Sequence, residues 1–178
     1  MAGLYHYFVE GECEMVLLKA LMHAEDASYG ICPGKIEILN VLYQRITPTK
    51  AITLRKGTKV VFVFDTDVKK TDLLEENIDI IISNSSVDYD DIIFLQSVKN
   101  LEDELVYSCS GINNINDLFE TNSKEAYKKR FVKHKDIVTK LKSVGFQIDR
   151  IWSRRPNEPF SNYEQGMRKI IRGSGERR

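Results

Sequence analysis

Apolar runs along the chain predict four buried β-strands. They cover residues 5–9, 59–64, 78–82 and 92–97, and each is rich in β-branched or aromatic residues. The second run, KVVFVF, is mostly apolar on both faces, which is typical of a central strand in a parallel sheet. Longer, more polar segments separate the runs, so the connections are expected to carry structure of their own.

Helical periodicity fills most of these connections. Apolar residues recur there at three- and four-residue intervals, as on one face of an α-helix. Asn100 is a predicted N-cap, because acidic residues follow it in the first helical turn, where the helix dipole favours them. No clear second strand is predicted between Gly30 and Lys59. The predicted helices are residues 13–23, 35–45, 69–77, 101–109 and 123–144.

The alternation of strands and helices predicts an α/β fold: a Rossmann-like, mostly parallel central sheet flanked by helices. Residues 1–120 are expected to form this α/β domain. Residues 121–178 are expected to form a helical, basic C-terminal extension packed on the same domain, ending in one short helix and a frayed tail. Trp152 is expected to anchor this last segment.

Composition narrows the class of protein. Of 178 residues, 42% are hydrophobic and 29% are charged, which is ordinary for a soluble globular domain. No apolar run approaches the ~20 residues of a membrane span, and the N-terminus lacks the layout of a signal peptide. Cys13, Cys32 and Cys109 are widely spaced, which favours free thiols over a disulfide framework or a zinc site. We therefore expect a cytoplasmic protein without a membrane partner.

The zero net charge conceals a strong polarity along the chain. Residues 65–104 hold twelve acidic residues against three basic ones, and residues 122–178 hold sixteen basic against six acidic. The basic third could contact the phosphates of a nucleic acid, although an ordinary solvated helix surface explains the same charges. The candidate phosphate-binding residues are Lys128, Lys129, Arg130, Arg154, Arg155, Arg168 and Lys169.

Carboxylates follow three of the apolar runs. Asp65 and Asp67 come at the end of the central strand, and Glu10 ends the first strand with Glu14 one helical turn later. Glu102 or Glu104 follows the strand at 92–97. Functional groups gather at the carboxyl ends of parallel strands, so these side chains could surround one point if the first and the central strands are neighbours. Converging carboxylates repel unless a cation lies between them, and Mg²⁺ prefers oxygen ligands.

Two motifs together resemble the Toprim domain. FVEGECE, residues 8–14, is similar to the Toprim strand that ends in Glu-Gly, and VVFVFDTDV, residues 60–68, is similar to the later strand that ends in Asp-x-Asp. The additional Glu14 and the LEDEL segment, residues 101–105, resemble the version found in OLD-family nucleases. The resemblance spans about residues 4–108.

The resemblance implies breakage or transfer of phosphodiester bonds with Mg²⁺ or Mn²⁺, with two ions at the site. By similarity, Glu10 is the general acid or base, and Asp65 and Asp67 hold metal. Glu14 and Glu102 would help to hold a second ion. A basic residue near the scissile phosphate is also implied, without indicating which one.

Two other functions stay open at this point. The chain has no P-loop and nothing like the ATPase that accompanies the Toprim domain in OLD proteins. It could therefore be one component of a system, such as a bacterial phage-defence module, whose partner protein, for example an ATPase, supplies targeting or energy. A non-catalytic Toprim-fold subunit that binds nucleic acid or a partner is the main alternative. A phosphatase-like site with Asp65 as nucleophile is the other, but it gives Glu10 and Glu14 no role.

Overall fold

A computed structural model describes residues 4–172 of the chain. Its centre is a four-stranded sheet in the order β2-β1-β3-β4, and all three strand pairs are parallel. The strands are β1 (Leu4–Val9), β2 (Gly34–Ile38), β3 (Thr58–Asp65) and β4 (Ile92–Ser97). The predicted α/β fold with a central parallel sheet is confirmed. The predicted tail, residues 173–178, lies outside the described residues.

Helices cover both faces of the sheet. They are α1 (Glu12–Met22), α2 (Pro48–Ile52), α3 (Asp72–Asn84), α4 (Leu101–Ser108), α5 (Lys124–Lys133), α6 (Ile137–Ser143) and α7 (Met167–Ile170). Short 3₁₀ helices occur at Ala27–Tyr29, Tyr89–Asp91 and Ile115–Leu118. Asn100 caps α4 as predicted, because its side chain accepts a hydrogen bond from the backbone N–H of Asp103. Across the described residues, no helix is both long enough and apolar enough to cross a bilayer.

The first and the central strands are neighbours, as the candidate site requires. β1 pairs with β3 from Leu4 opposite Thr58 to Val9 opposite Val63. This register brings the carboxyl ends of the two strands to the same edge of the sheet. Glu10, the residue after β1, therefore lies beside the end of β3.

Three predicted elements are wrong, and a fourth has the wrong bounds. The helix predicted at residues 35–45 is instead the edge strand β2 followed by turns, because pairing with β1 outweighs the helical spacing of this segment. The strand predicted at residues 78–82 belongs to α3, which also takes the place of the shorter helix predicted at 69–77. The long helix predicted at 123–144 is two helices, since Asp136 caps the backbone N–H of Thr139 and starts α6.

Two hydrophobic clusters fill the two faces of the sheet. One contains Phe62 and Phe64 of β3 and packs against α2 and α3. The other contains Val61 and Val63 and packs against α1, α4, α5 and α6. Trp152 is fully buried in this second cluster, which confirms its predicted anchoring role. The basic C-terminal third thus shares a core with the strands that carry the carboxylates.

Gly34 of β2 packs tightly against the backbone of Tyr5 in β1. A Cβ added at Gly34 would lie 2.4 Å from the Tyr5 carbonyl oxygen and 2.7 Å from the Tyr5 Cβ. Gly34→Ala should therefore push the edge strand outward and lower the free energy of unfolding by about 1–3 kcal/mol, as overpacking does elsewhere. Urea unfolding measures the change. An unaltered midpoint would show that the start of β2 moves freely.

Candidate functional site

A cleft of about 430 Å³ lies at the carboxyl ends of β1 and β3. The α5 side of the cleft is basic, whereas its floor and the α1 side are acidic. Its charged lining residues are Glu10, Glu12, Glu14, Asp65, Glu102, Lys128, Lys129 and Lys133. Four of the five predicted carboxylates therefore meet in one concavity.

Glu10 and Asp65 are in direct contact. The Glu10 Oε2 atom accepts a hydrogen bond of 3.1 Å from the backbone N–H of Asp65. Burial raises the pKa of Glu10, and the nearby charges of Asp67 and Glu102 act in the same direction. The hydrogen bond from Asp65 opposes this rise because it stabilises the carboxylate. Glu10 is thus held in place by the backbone of Asp65, and its pKa lies above the ordinary value of a glutamate.

Asp65 is the most perturbed carboxylate of the cleft. Burial, followed by the charges of Glu10 and Glu14, raises the pKa of Asp65 to about 8. A hydrogen bond with the Ser97 hydroxyl opposes the rise. The Asp65 Oδ1 atom is buried without a hydrogen-bond partner among the described residues. An unsatisfied buried carboxylate oxygen is costly, and a cation or a proton would remove the cost.

Glu14 and Glu102 complete the acidic wall, and each is only 7% exposed. Burial raises the pKa of Glu14, and the charges of Glu10 and Glu102 add to the rise. Glu102 is neutralised from α5, where Lys124 Nζ lies 3.1 Å and Lys128 Nζ 3.3 Å from its oxygens. The basic helix thus directly faces the acidic wall.

Asp67 stands apart from this group. β3 ends at Asp65, and the next residue, Thr66, still donates its backbone N–H to the Ser97 carbonyl oxygen of β4. Asp67 follows as an exposed residue and does not line the cleft, although its charge reaches Glu10. The second aspartate of the predicted pair therefore lies outside the group of buried carboxylates.

The donor set of the cleft fits Mg²⁺ or Mn²⁺, because every acidic lining group offers carboxylate oxygens. The unpartnered Oδ1 atom of Asp65 is an open ligand position of this kind. In residues 4–172, however, no group of three or more acidic, histidine or cysteine side chains stands at metal-binding geometry. Both carboxylate oxygens of Glu102 are instead contacted by lysines, Oε2 by Lys124 and Oε1 by Lys128.

The structure separates the seven candidate phosphate-binding residues. Lys128 and Lys129 line the cleft, and Arg130 lines a neighbouring concavity. Arg155 and Arg168 line a third concavity formed by the C-terminal segment. The carbonyl oxygen of Lys169 accepts from the Tyr5 hydroxyl, and Arg154 is bound to Glu104. The basic residues therefore do not form one continuous surface.

Glu104 has a structural position that the sequence did not distinguish from that of Glu102. It is fully buried, and its carboxylate accepts from the backbone N–H groups of Val98 and Trp152. Arg154 Nη2 lies 2.7 Å from Glu104 Oε1. The Trp152 indole N–H donates to the Ser97 hydroxyl, which in turn bonds to Asp65. This network fixes the loop after β4 and supports the cleft from behind.

Loss of the Glu104 charge should destabilise the fold. Glu104→Gln keeps the size of the side chain but leaves Arg154 without a charged partner and presents an amide N–H₂ group to backbone donors. We expect a loss of about 2 kcal/mol in the free energy of unfolding. Asp103→Asn is the control. Asp103 is half-buried, and its ion pair with Lys99 is long, at 3.8 Å, so loss of its charge should cost little. Equal midpoints for the two variants in chemical denaturation would contradict the network.

Ser97, Lys124 and Lys133 also belong to the site and were missed. Lys124 and Lys128 stand four residues apart, which places them on one face of a helix, and this spacing was a readable signal. Ser97 could not be predicted from the sequence, since a hydroxyl at a strand end is common.

Comparisons with protein-family models, with curated proteins and with solved structures found no match to this chain.

Proposed function

We propose that this protein is a metal-dependent nuclease of Toprim type, which cleaves phosphodiester bonds of DNA or RNA with Mg²⁺ or Mn²⁺. The observation that carries the proposal is the convergence of Glu10, Glu14, Asp65 and Glu102 in one cleft beneath a basic helix. These carboxylates come from three separate strand-to-helix junctions. Burying these carboxylates together destabilises the fold, and a requirement for function explains why the chain nevertheless has this arrangement.

Asp65 is the first metal ligand in this proposal, and Asp67 is the second ligand of the pair, although its side chain lies exposed outside the cleft. Glu14 and Glu102 are the groups proposed for a second ion, which would have to displace Lys124 and Lys128 from Glu102. Two such ions, when bound, would activate a water nucleophile and stabilise the leaving oxygen. Glu10 takes or returns the proton in this proposal, and the upward shift of its pKa favours that role. Lys128 and Lys129 neutralise the substrate phosphate from the α5 side of the cleft.

The experiment that tests the proposal is a calorimetric titration with Mn²⁺ and Mg²⁺, followed by incubation with single- and double-stranded DNA and RNA. Wild-type protein should bind metal and cleave at least one substrate. The Asp65→Ala, Asp67→Ala double variant should do neither. The matched control is Asp88→Ala, Asp90→Ala, which removes a second Asp-x-Asp that is exposed and precedes β4. Wild-type protein that binds no metal would overturn the nuclease.

The competing function is a non-catalytic subunit that binds nucleic acid or a partner protein such as an ATPase. The ion pairs of Glu102 with Lys124 and Lys128 favour it, because they satisfy Glu102 without metal. Metal binding without cleavage in the same experiment would support this function, provided that cleavage stays absent with every substrate tested.

A further inference from the structure

A second concavity of about 630 Å³ lies beside the carboxylate cleft, between the end of α5, the turn at residues 119–120 and α6. We call it the α5–α6 pocket. Four cationic side chains and a histidine line it, against a single acidic residue among the described lining groups. Its lining residues are Phe119, Glu120, Lys129, Arg130, Lys133, His134 and Lys140.

Three of the donor side chains of the α5–α6 pocket contact one buried aromatic residue, Phe119. Phe119 is 7% exposed, its ring centroid is 5.3 Å from that of His134, and Lys140 Nζ lies 5.8 Å above the ring. Arg130 Nη1 donates to the Phe119 carbonyl oxygen at 2.8 Å. His134 Nδ1 accepts from the Asp136 backbone N–H, so the neutral ring carries its proton on Nε2.

Positive charge in this pocket is left largely uncompensated. Of its lysines, Lys129 is paired with Glu125 at 2.8 Å, and both side chains are exposed. Neither Lys133 nor Lys140 has an ion-pair partner anywhere in residues 4–172. Like charges gathered around a concavity raise its affinity for anions.

The α5–α6 pocket is continuous with the carboxylate cleft. Lys129 and Lys133 line both concavities, and they stand one turn apart on the same face of α5. A polyanion whose charge repeats at short intervals could therefore place one charged group in each concavity. A strand of nucleic acid is such a polyanion, and its phosphates are the groups that the neighbouring cleft is proposed to receive.

We propose that the α5–α6 pocket binds a phosphate group of the nucleic-acid strand that flanks the phosphate in the carboxylate cleft. Lys133 and Lys140 supply the charge, and Arg130 and His134 supply directed donors. The inference rests on the proposed function, because it assigns the path of the substrate across the same site. In this proposal the nucleic-acid strand runs from the carboxylate cleft along α5 toward α6.

The test is binding of a fluorescein-labelled single-stranded oligonucleotide, as DNA and as RNA, measured by anisotropy in EDTA. Lys133→Ala, Lys140→Ala should bind about tenfold more weakly than wild type. The slope of log K against log salt should fall by about 0.7, the value of one phosphate contact on a single strand. The matched control is Arg55→Ala, Lys56→Ala. It removes two exposed charges just before β3, at the amino end of the strands, whereas the cleft lies at their carboxyl ends. This control should bind within twofold of wild type.

Further measurements separate the site from general charge and from folding. Lys133→Arg, Lys140→Arg should restore binding, and thermal midpoints show that all variants are folded. Equal weakening by both alanine variants would overturn the pocket in favour of non-specific attraction. Wild-type protein that ignores oligonucleotides but binds vesicles containing phosphatidylserine would overturn it in favour of a membrane surface. Because no metal is present, loss of metal binding or cleavage elsewhere leaves this result unchanged.

Discussion

In the proposed nuclease, Glu10→Gln should lower the rate of metal-dependent cleavage about 10³-fold, which is the usual contribution of a general acid or base. The glutamine has nearly the same volume, and its carbonyl oxygen can still accept the hydrogen bond from the backbone N–H of Asp65. It cannot exchange a proton with the reacting oxygen. The geometry of the cleft should therefore survive while the chemistry stops.

The measurement is single-turnover cleavage at saturating Mn²⁺, with oligonucleotide binding determined beside it. Glu25→Gln is the control, because Glu25 is exposed beyond the far end of α1 and undergoes the same substitution. Binding of the oligonucleotide by Glu10→Gln should stay within about threefold of wild type. A Glu10→Gln variant that cleaves at the wild-type rate would remove Glu10 from the reaction.

Asp65→Asn should make the metal-free protein more stable at pH 8 by about 3 kcal/mol, roughly half of what the full pKa shift would give, because Asp65 is partly exposed and solvent screens its charge. The pKa of Asp65 is about 8 in the folded chain, against 3.8 as its ordinary value. Between these two values the folded state binds a proton that the unfolded state lacks. The stabilisation from this group is thus complete below pH 4 and is lost as the pH rises toward 8. An amide carries no charge and escapes the loss.

Thermal unfolding in EDTA at pH 5 and pH 8 measures this effect. At pH 8 the Asp65→Asn midpoint should exceed that of wild type by about 6–12 °C, and the gap should shrink at pH 5. Asp79→Asn is the control, since Asp79 is exposed on α3. Mn²⁺ at 100 times its dissociation constant should stabilise wild type by about 2.7 kcal/mol and leave Asp65→Asn almost unchanged. A gap that is independent of pH would show that ionisation of the buried Asp65 carboxyl is not its cause.

Much of the fold could be predicted because its central strands have unambiguous patterns. β3 is buried on both faces, and β4 is a continuous apolar run that ends at a capped helix. β2 was missed because an edge strand needs burial on only one side, and its residues are mostly half-buried or exposed. The run at residues 78–82 looked like a strand because its isoleucines are adjacent, whereas Ile78 and Ile81 share a helix face.

The acidic half of the site was predictable for a different reason. Glu10, Glu14 and Glu102 lie at strand-to-helix junctions, and the topology of a parallel sheet brings such junctions together without further information. The basic half depends on where α5 and the C-terminal segment pack against the sheet. The number of charges along the chain does not predict those positions. Arg154 and Lys128 looked equivalent along the chain, yet one neutralises buried Glu104 and the other faces the cleft.

The shared core has a consequence for how this chain can be divided. Residues 4–108 carry every acidic motif, but the partners of Glu102 and Glu104 are Lys124, Lys128 and Arg154. A shortened chain that stops near residue 108 would keep two acidic groups packed against apolar surroundings and lose the cations that balance them. The segment that carries the acidic motifs is therefore not expected to fold as a separate unit. Any transplant of this acidic centre into another protein must carry the helix and the loop that complete its charge.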